Sequence, residues 1–222
     1  MSKAVAILSG GMDSTALAHL YAEYYDAVHL VSFDYGQRHR KELESAKRTA
    51  ERLGVRWTLI GMPLGGLLRS ALTDSSVPVP HGHYEAETMK ATVVPNRNAI
   101  MLALATGIAV SDEAMLVGIG VHAGDHAIYP DCRPEFIESM TATMRVANAG
   151  FCAPYFRIDA PFINMSKADI VTLAETLDLD VPWEETWSCY EGGAVHCGLC
   201  GTCVERREAF ALADVQDWTA YA

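Results

Sequence analysis

Long apolar runs are missing from this sequence: nothing in its 222 residues approaches the roughly 20 consecutive apolar positions that a membrane-spanning helix needs. No membrane partner is expected. Met1-Ser2-Lys3 leads at once into a strand pattern and leaves no room for a signal peptide, so the expected location is cytoplasmic. Cations are scarce as well. Lys and Arg total 17 against 28 Asp and Glu, a formal charge of −11, which argues against a nucleic-acid partner because neutralising phosphates takes clustered cations. Repeats, low-complexity tracts and an interdomain linker are also absent, so residues 1–222 read as one domain. The eight histidines show no metal-like spacing, and none is assigned a role.

What the sequence does have is concentrated at two places. The first is Leu8-Ser9-Gly10-Gly11-Met12-Asp13-Ser14-Thr15, between an apolar run, Ala4 to Leu8, that reads as a buried strand and a helix pattern from Ser14 to Tyr24. Glycines at a strand-to-helix junction let backbone N–H groups approach a ligand, and the helix N-terminus and the hydroxyls of Ser9, Ser14 and Thr15 favour an anion there. The stretch is neither Gly-x-x-x-x-Gly-Lys-Ser/Thr nor Gly-x-Gly-x-x-Gly. Ser-Gly-Gly-x-Asp-Ser instead resembles the pyrophosphate loop of ATP-pyrophosphatases, which split ATP between its α and β phosphates.

The second is Cys189-x7-Cys197-x2-Cys200-x2-Cys203, within a segment of changed character from about 183 to 212. Two-residue spacing lets thiolates converge on one ion, with Gly198 and Gly201 allowing tight turns, and four soft ligands suit structural tetrahedral zinc. An iron–sulfur cluster is the alternative. Cys132 and Cys152 read as small buried residues.

Between these places, strands are expected at Ala27 to Phe33, Val55 to Ile60, Ala114 to Ile119 and Tyr155 to Asp159, alternating with helices at Lys41 to Leu53, after Asn98 to about Val110, at Glu135 to Ala149, and from a Ser166 cap to about Leu177. A closing helix runs from about Thr202 to Leu212. Alternation predicts an α/β fold: a mainly parallel five-stranded sheet with helices on both faces, plus the C-terminal cysteine segment. Residues 63–92, with Gly65-Gly66, three prolines and little periodicity, read as a long surface loop or lid with a short helix at Leu67 to Leu72.

Taken together, Ser9-Gly-Gly-Met-Asp-Ser-Thr15, Phe33-Asp-Tyr-Gly-Gln-Arg-His39, Val94-Pro-Asn-Arg-Asn98, Tyr129-Pro-Asp-Cys-Arg133, Ser166-Lys167, Ser188-Cys-Tyr190 and the cysteine spacing resemble the 7-cyano-7-deazaguanine synthase family, QueC, over nearly the whole chain. The resemblance implies a sheet of the adenine-nucleotide α-hydrolase type, Mg²⁺ with ATP as co-substrate, bound zinc and a homodimer. It also implies conversion of 7-carboxy-7-deazaguanine and ammonia to the nitrile preQ0, a precursor of queuosine, with release of AMP and pyrophosphate. With no glutaminase segment, free ammonium is the expected nitrogen source.

Carried over residue by residue, Leu8, Ser9, Gly10, Gly11, Met12, Asp13, Ser14, Thr15, Ala16, Leu17 and Ala18 would bind ATP, and Asp34 would lie near the adenosine. Asp13, Ser14, Arg97 and Lys167 would carry the chemistry, the two cations at charge developing on the α-phosphate. Asp131 and Arg133 would take the deazaguanine, although Asp131, just before Pro134, could equally cap a helix. Here Ile128 precedes Tyr129, where the family commonly has Gly, and the loop His122-Ala-Gly-Asp-His126 is also divergent. Rival readings are an ATP-pyrophosphatase that modifies tRNA, one that stops at the amide, and a non-catalytic nucleotide-binding module.

Overall fold

The computed structural model describes residues 1–84 and 87–222. Five strands form one parallel sheet: β1 (Lys3–Ile7), β2 (Ala27–Asp34), β3 (Arg56–Gly61), β4 (Leu116–Gly118) and β5 (Arg157–Asp159), in spatial order β3-β2-β1-β4-β5. The connections carry α1 (Met12–Tyr24), α2 (Lys41–Leu53), α3 (Arg97–Ser111) and α4 (Pro134–Ala147), and α5 (Lys167–Thr176) and α6 (Gly201–Ala213) follow β5. This is the architecture the alternation predicts.

Central β1 shows why these strands read as unbroken apolar runs. Val5 and Ile7 pack into one core with Leu102 and Ala105 of α3, while Ala4, Ala6 and Leu8 pack on the other face with Ala16 and Leu17 of α1 and Val171 of α5. A strand buried on both sides has no solvent face to mark with polar residues. Its register sets Val5 opposite His29 of β2 and Val117 of β4.

The chain visits β2 and β3 on one side of β1 and then crosses to β4 on the other, so the strand order reverses between β1 and β4. Outside the carboxyl ends of strands at such a point the loops diverge and leave a crevice. Local signals aim two elements at it. In α5, Ser166 Oγ accepts from the Asp169 N–H at 3.2 Å while Asp169 accepts from the Ser166 N–H at 2.8 Å, a reciprocal cap that makes Lys167 the first helical residue. Gly54, in a left-handed conformation, stops α2.

Residues 63–92 differ from the expected surface loop. Ala71, Leu72, Met89 and Thr92 are buried, residues 67–72 form turns instead of a helix, and the helical piece is a 3-10 turn at Glu87–Thr92. Irregular backbone can be buried only if its carbonyls find donors. Arg38 supplies them, its guanidinium donating to the carbonyls of Ala71, Ser75 and Val77 at 3.4, 3.0 and 3.2 Å. Periodicity could not reveal a segment pinned by one distant side chain.

Candidate active site

The loop after β1 folds around its own hydroxyls. Ser14 Oγ accepts from the N–H groups of Ser9 and Gly10, both at 3.2 Å, and lies 2.9 Å from Ser9 Oγ. Gly10 is held from behind. It has φ +92°, and a Cβ there would lie 2.0 Å from the Glu42 carbonyl oxygen and 2.7 Å from the Ala46 nitrogen of α2. Its own carbonyl accepts from Trp187 N–H at 2.9 Å and Ser45 Oγ at 3.0 Å. Only glycine fits this position. Gly11 is different: its nearest neighbours would be Ser9 Oγ at 3.4 Å and the Trp187 carbonyl at 3.7 Å.

Leu8, Ser9, Gly11, Met12, Asp13 and Ser14 line the crevice, where Lys167 of α5 joins them. The Lys167 ammonium stands 3.1 Å from Asp13 Oδ2 and 3.0 Å from Glu205 Oε2 of α6, and 5.9 Å from the centre of the Tyr84 ring. Burial works against its charge, but Asp13, Glu205 and Asp125 outweigh burial and hold the amine well above the ordinary lysine range. Burial likewise pushes the Asp13 carboxyl up, yet Lys167 and His122 more than reverse it. Both groups stay charged at neutral pH. Asp13 Oδ1 is buried without a hydrogen-bond partner among the described residues.

Behind them sits His122, which sequence reasoning left unassigned. Its Nδ1 accepts from the Gly124 N–H at 3.1 Å, so Nε2 is the nitrogen that carries a proton, facing Asp13, Asp125 and Glu205 at 3.9, 3.7 and 3.8 Å. The available signal was His-x-x-Asp at a turn: Asp125 Oδ2 accepts from the His122 N–H, closing a reciprocal cap.

An aromatic wall adjoins this one, Tyr84 meeting Lys167. Tyr35, Tyr84, Tyr129 and Tyr190 line it with Met101, Cys132, Arg97 and Asn98. Every hydroxyl with a mapped partner is engaged. Tyr84 donates to Asp125 Oδ1 at 2.9 Å; Tyr129 donates to Thr92 Oγ1 at 2.6 Å, since that hydroxyl gives its own proton to the Met89 carbonyl; Tyr35 accepts from Arg97 at 3.3 Å. Burial pushes Tyr35 up to about 12 and Tyr84 and Tyr190 well above the usual phenol range, so these three phenols stay neutral beside the Arg97 cation. Burial also raises Cys132, which leaves it a thiol and a poor nucleophile.

Several expected site residues lie elsewhere. Thr15, Ala16, Leu17 and Ala18 point into the core, Thr15 Oγ1 being buried without a partner among the described residues, so the crevice wall ends at Ser14. The Asp34 carboxylate pairs with Arg40 and accepts from the Gly36 N–H, outside the lining. Asp131 accepts from the Asn98 N–H at 3.1 Å and so caps α3, while Arg133 donates to the His126 carbonyl at 2.9 Å; neither lines the crevice. A carboxylate at a helix N-terminus already has its partner.

The four cysteine sulfurs all lie within 4.8 Å of one another. N–H groups of Cys197, Leu199 and Cys200 point at the sulfurs of Cys189 and Cys197 at 3.2 to 3.4 Å, an arrangement that favours thiolates. Gly198 takes the expected left-handed turn, whereas Gly201 is needed for closeness: a Cβ there would meet Met89 at 2.9 Å. The segment forms part of the crevice, contributing Trp187, Ser188, Tyr190 and Thr202.

An open parallel sheet with a glycine–serine loop and a buried cation at its switch point defines an α/β protein of the adenine-nucleotide α-hydrolase type. A structure described as a predicted subunit of tRNA methyltransferase from Methanocaldococcus jannaschii shares this fold, with TM-score 0.51 and 16% identity over 79% of this chain and 75% of that one. The family described as queuosine biosynthesis protein QueC matches residues 3–214, and the chain belongs to that family. It is 54% identical over 222 residues to the 7-cyano-7-deazaguanine synthase of Ruegeria sp. (strain TM1040), covering 99% of this chain and 93% of the relative. It is 57% identical over 221 residues to that of Rhizobium meliloti (strain 1021), covering 99% and 92%. No helix among the described residues is long and apolar enough to cross a membrane.

Proposed function

We propose that the chain converts 7-carboxy-7-deazaguanine and ammonia to the nitrile with two molecules of ATP. The observation that carries this reading is a crevice that brings a glycine–serine loop and the Lys167 ammonium together with a lining of tyrosines. The first suits a polyphosphate and the second a planar heterocycle. Ser9, Gly11 and Ser14 hold the phosphates. Lys167 meets charge developing on the α-phosphate. Arg97, on the tyrosine side, takes the substrate carboxylate, since it lines the crevice and Arg133 does not.

A carboxylate resists ammonia because its oxygen is a poor leaving group. One carboxylate oxygen therefore attacks the α-phosphorus, pyrophosphate leaves, and ammonia displaces AMP to give the amide. The amide oxygen is adenylated in turn with release of pyrophosphate, and loss of AMP and of both N–H protons gives the nitrile. The unpartnered Asp13 Oδ1 fits a hard cation, so Asp13 is the residue that would hold Mg²⁺, which supplies charge neutralisation at the phosphates. The sulfur spacing suits one tetrahedral ion held by Cys189, Cys197, Cys200 and Cys203 better than a cluster of several irons, which supports zinc. A homodimer is the proposed assembly.

Incubation with 7-carboxy-7-deazaguanine, ammonium, Mg²⁺ and ATP tests the reading. The expected products are nitrile with two AMP and two pyrophosphate per turnover, and synthetic amide should consume one ATP. ADP in place of AMP, or an inert amide, overturns it.

A further inference from the structure

The head of a lysine hangs on four methylenes, so its place in a crevice is set by what grips it. Lys167 has two grips. Asp13 has an unpartnered Oδ1 and is the residue proposed above to hold Mg²⁺, so its grip on Lys167 would be shared with the cation. Glu205 does not line the crevice, and it is boxed in: its Oε1 would lie 3.0 Å from a Cβ on Gly124 and stands 3.8 Å from His122 Nε2, while Oε2 holds Lys167 at 3.0 Å.

The mount of Glu205 is equally defined. It stands early in α6, whose N-cap is Cys200 and whose first turn carries Cys203, both in the four-cysteine cluster. The next residue, Arg206, is wholly buried and donates to the Trp183 carbonyl and Thr186 Oγ1, both at 2.7 Å. That fixes the strap whose Trp187 N–H donates to the Gly10 carbonyl. One helix thus holds the crevice from two sides, through Glu205 at Lys167 and through Arg206 at the glycine loop.

We infer that Glu205 is a positioning residue for the adenylation step, the fixed strut that keeps the Lys167 ammonium at the α-phosphate when Asp13 turns to the nucleotide, and that the cysteine segment acts on the chemistry through it. This rests on the role proposed for Lys167 above. A carboxylate that merely neutralised a buried lysine would matter to folding and leave turnover of the folded protein alone.

The test uses the full-length, metal-loaded protein and reads AMP release, metal content and Tm. Glu205→Gln should lower kcat by about tenfold or more with little change in KM for ATP, because the contact it supports is made in the transition state. Metal content and Tm should stay close to those of the parent. In a Lys167→Met background the same change should have no further effect, since two residues acting as one unit are not additive. If Glu205→Gln does not fold, Glu205→Asp, which keeps the charge and draws it back by one methylene, carries the same expectations. Parental kcat in Glu205→Gln, a rate loss that only tracks lost metal, or an equal loss with and without Lys167 overturns the inference while leaving the role of Lys167 intact. Parental turnover in Lys167→Met overturns both.

Discussion

Apart from Lys167, the charged wall of the crevice comes from one strand-to-helix junction, Leu8 to Ser14 with Gly10 excepted, whereas Tyr35, Tyr84, Tyr129 and Tyr190 of the aromatic wall come from four separate connections. Local geometry builds the first, since a few backbone turns place every donor. Tertiary packing builds the second, and each tyrosine depends on a partner far away in the chain, as Tyr84 does on Asp125 and Tyr35 on Arg97. The two walls should therefore fail differently.

The largest expected effect breaks the charged wall alone. Asp13→Ala should give a folded protein whose AMP release falls on the order of 10²- to 10³-fold, the scale of losing one preorganised electrostatic contact. Tyr190→Phe, on the other wall, should raise KM for the deazaguanine by about tenfold at most, the scale of one hydrogen bond, and leave KM for ATP unchanged. Steady-state kinetics with each substrate varied checks both. A shift in KM for ATP in Tyr190→Phe would merge the two walls into one site.

Within the charged wall the adjacent glycines sharpen the contrast. Gly10→Ala forces a left-handed backbone, costing about 1–3 kcal/mol before its clash with α2, and should lower Tm markedly. Gly11→Ala has room in the fold and should keep its Tm while weakening ATP. Thermal melts of the two variants decide it, and equal losses would contradict the packing described for Gly10.

The smallest effect separates the walls by pH. Asp13 is held below its ordinary 3.8, so its contribution to stability is present above that value and is lost as the pH falls through the depressed one. Tyr35 is raised from 10 to about 12, so its contribution is present below 10 and is lost as the pH climbs toward 12, where raised Lys167 adds to the loss. Tm measured against pH should show a shallower acid limb in Asp13→Ala and a shallower alkaline limb in Tyr35→Phe.

The same contrast accounts for what the sequence could tell. Strand β1, the Ser9 to Ser14 loop, the Ser166 cap and the cysteine spacing are short-range patterns, and each was legible. Helix register carried the reading too far into Thr15 to Ala18, because a motif's boundary in sequence does not say which residues turn toward the core. The substrate wall was less legible for a related reason. Asp131 and Arg133 have the right chemistry for a deazaguanine, but only the fold shows that one bonds the Asn98 N–H and the other the His126 carbonyl, outside the crevice lining. Glu205 had no local signal at all. An acidic residue one turn inside a helix is ordinary, and its meaning comes from Lys167, which lies 38 positions earlier in the chain.

Gly10 carries a consequence for how fast and how selectively a nucleotide is taken up. With its carbonyl held by Trp187 and Ser45 and its Cα pressed on α2, the loop has its shape before any ligand arrives. A cradle already rigid has little disorder to surrender on binding, so association should be limited by encounter rather than by ordering, and its entropy should be mild. The same bracing removes the freedom to widen. Nucleotides with bulkier groups in place of the β and γ phosphates should be refused by shape, with discrimination appearing in the first moments of contact instead of in a later closing step.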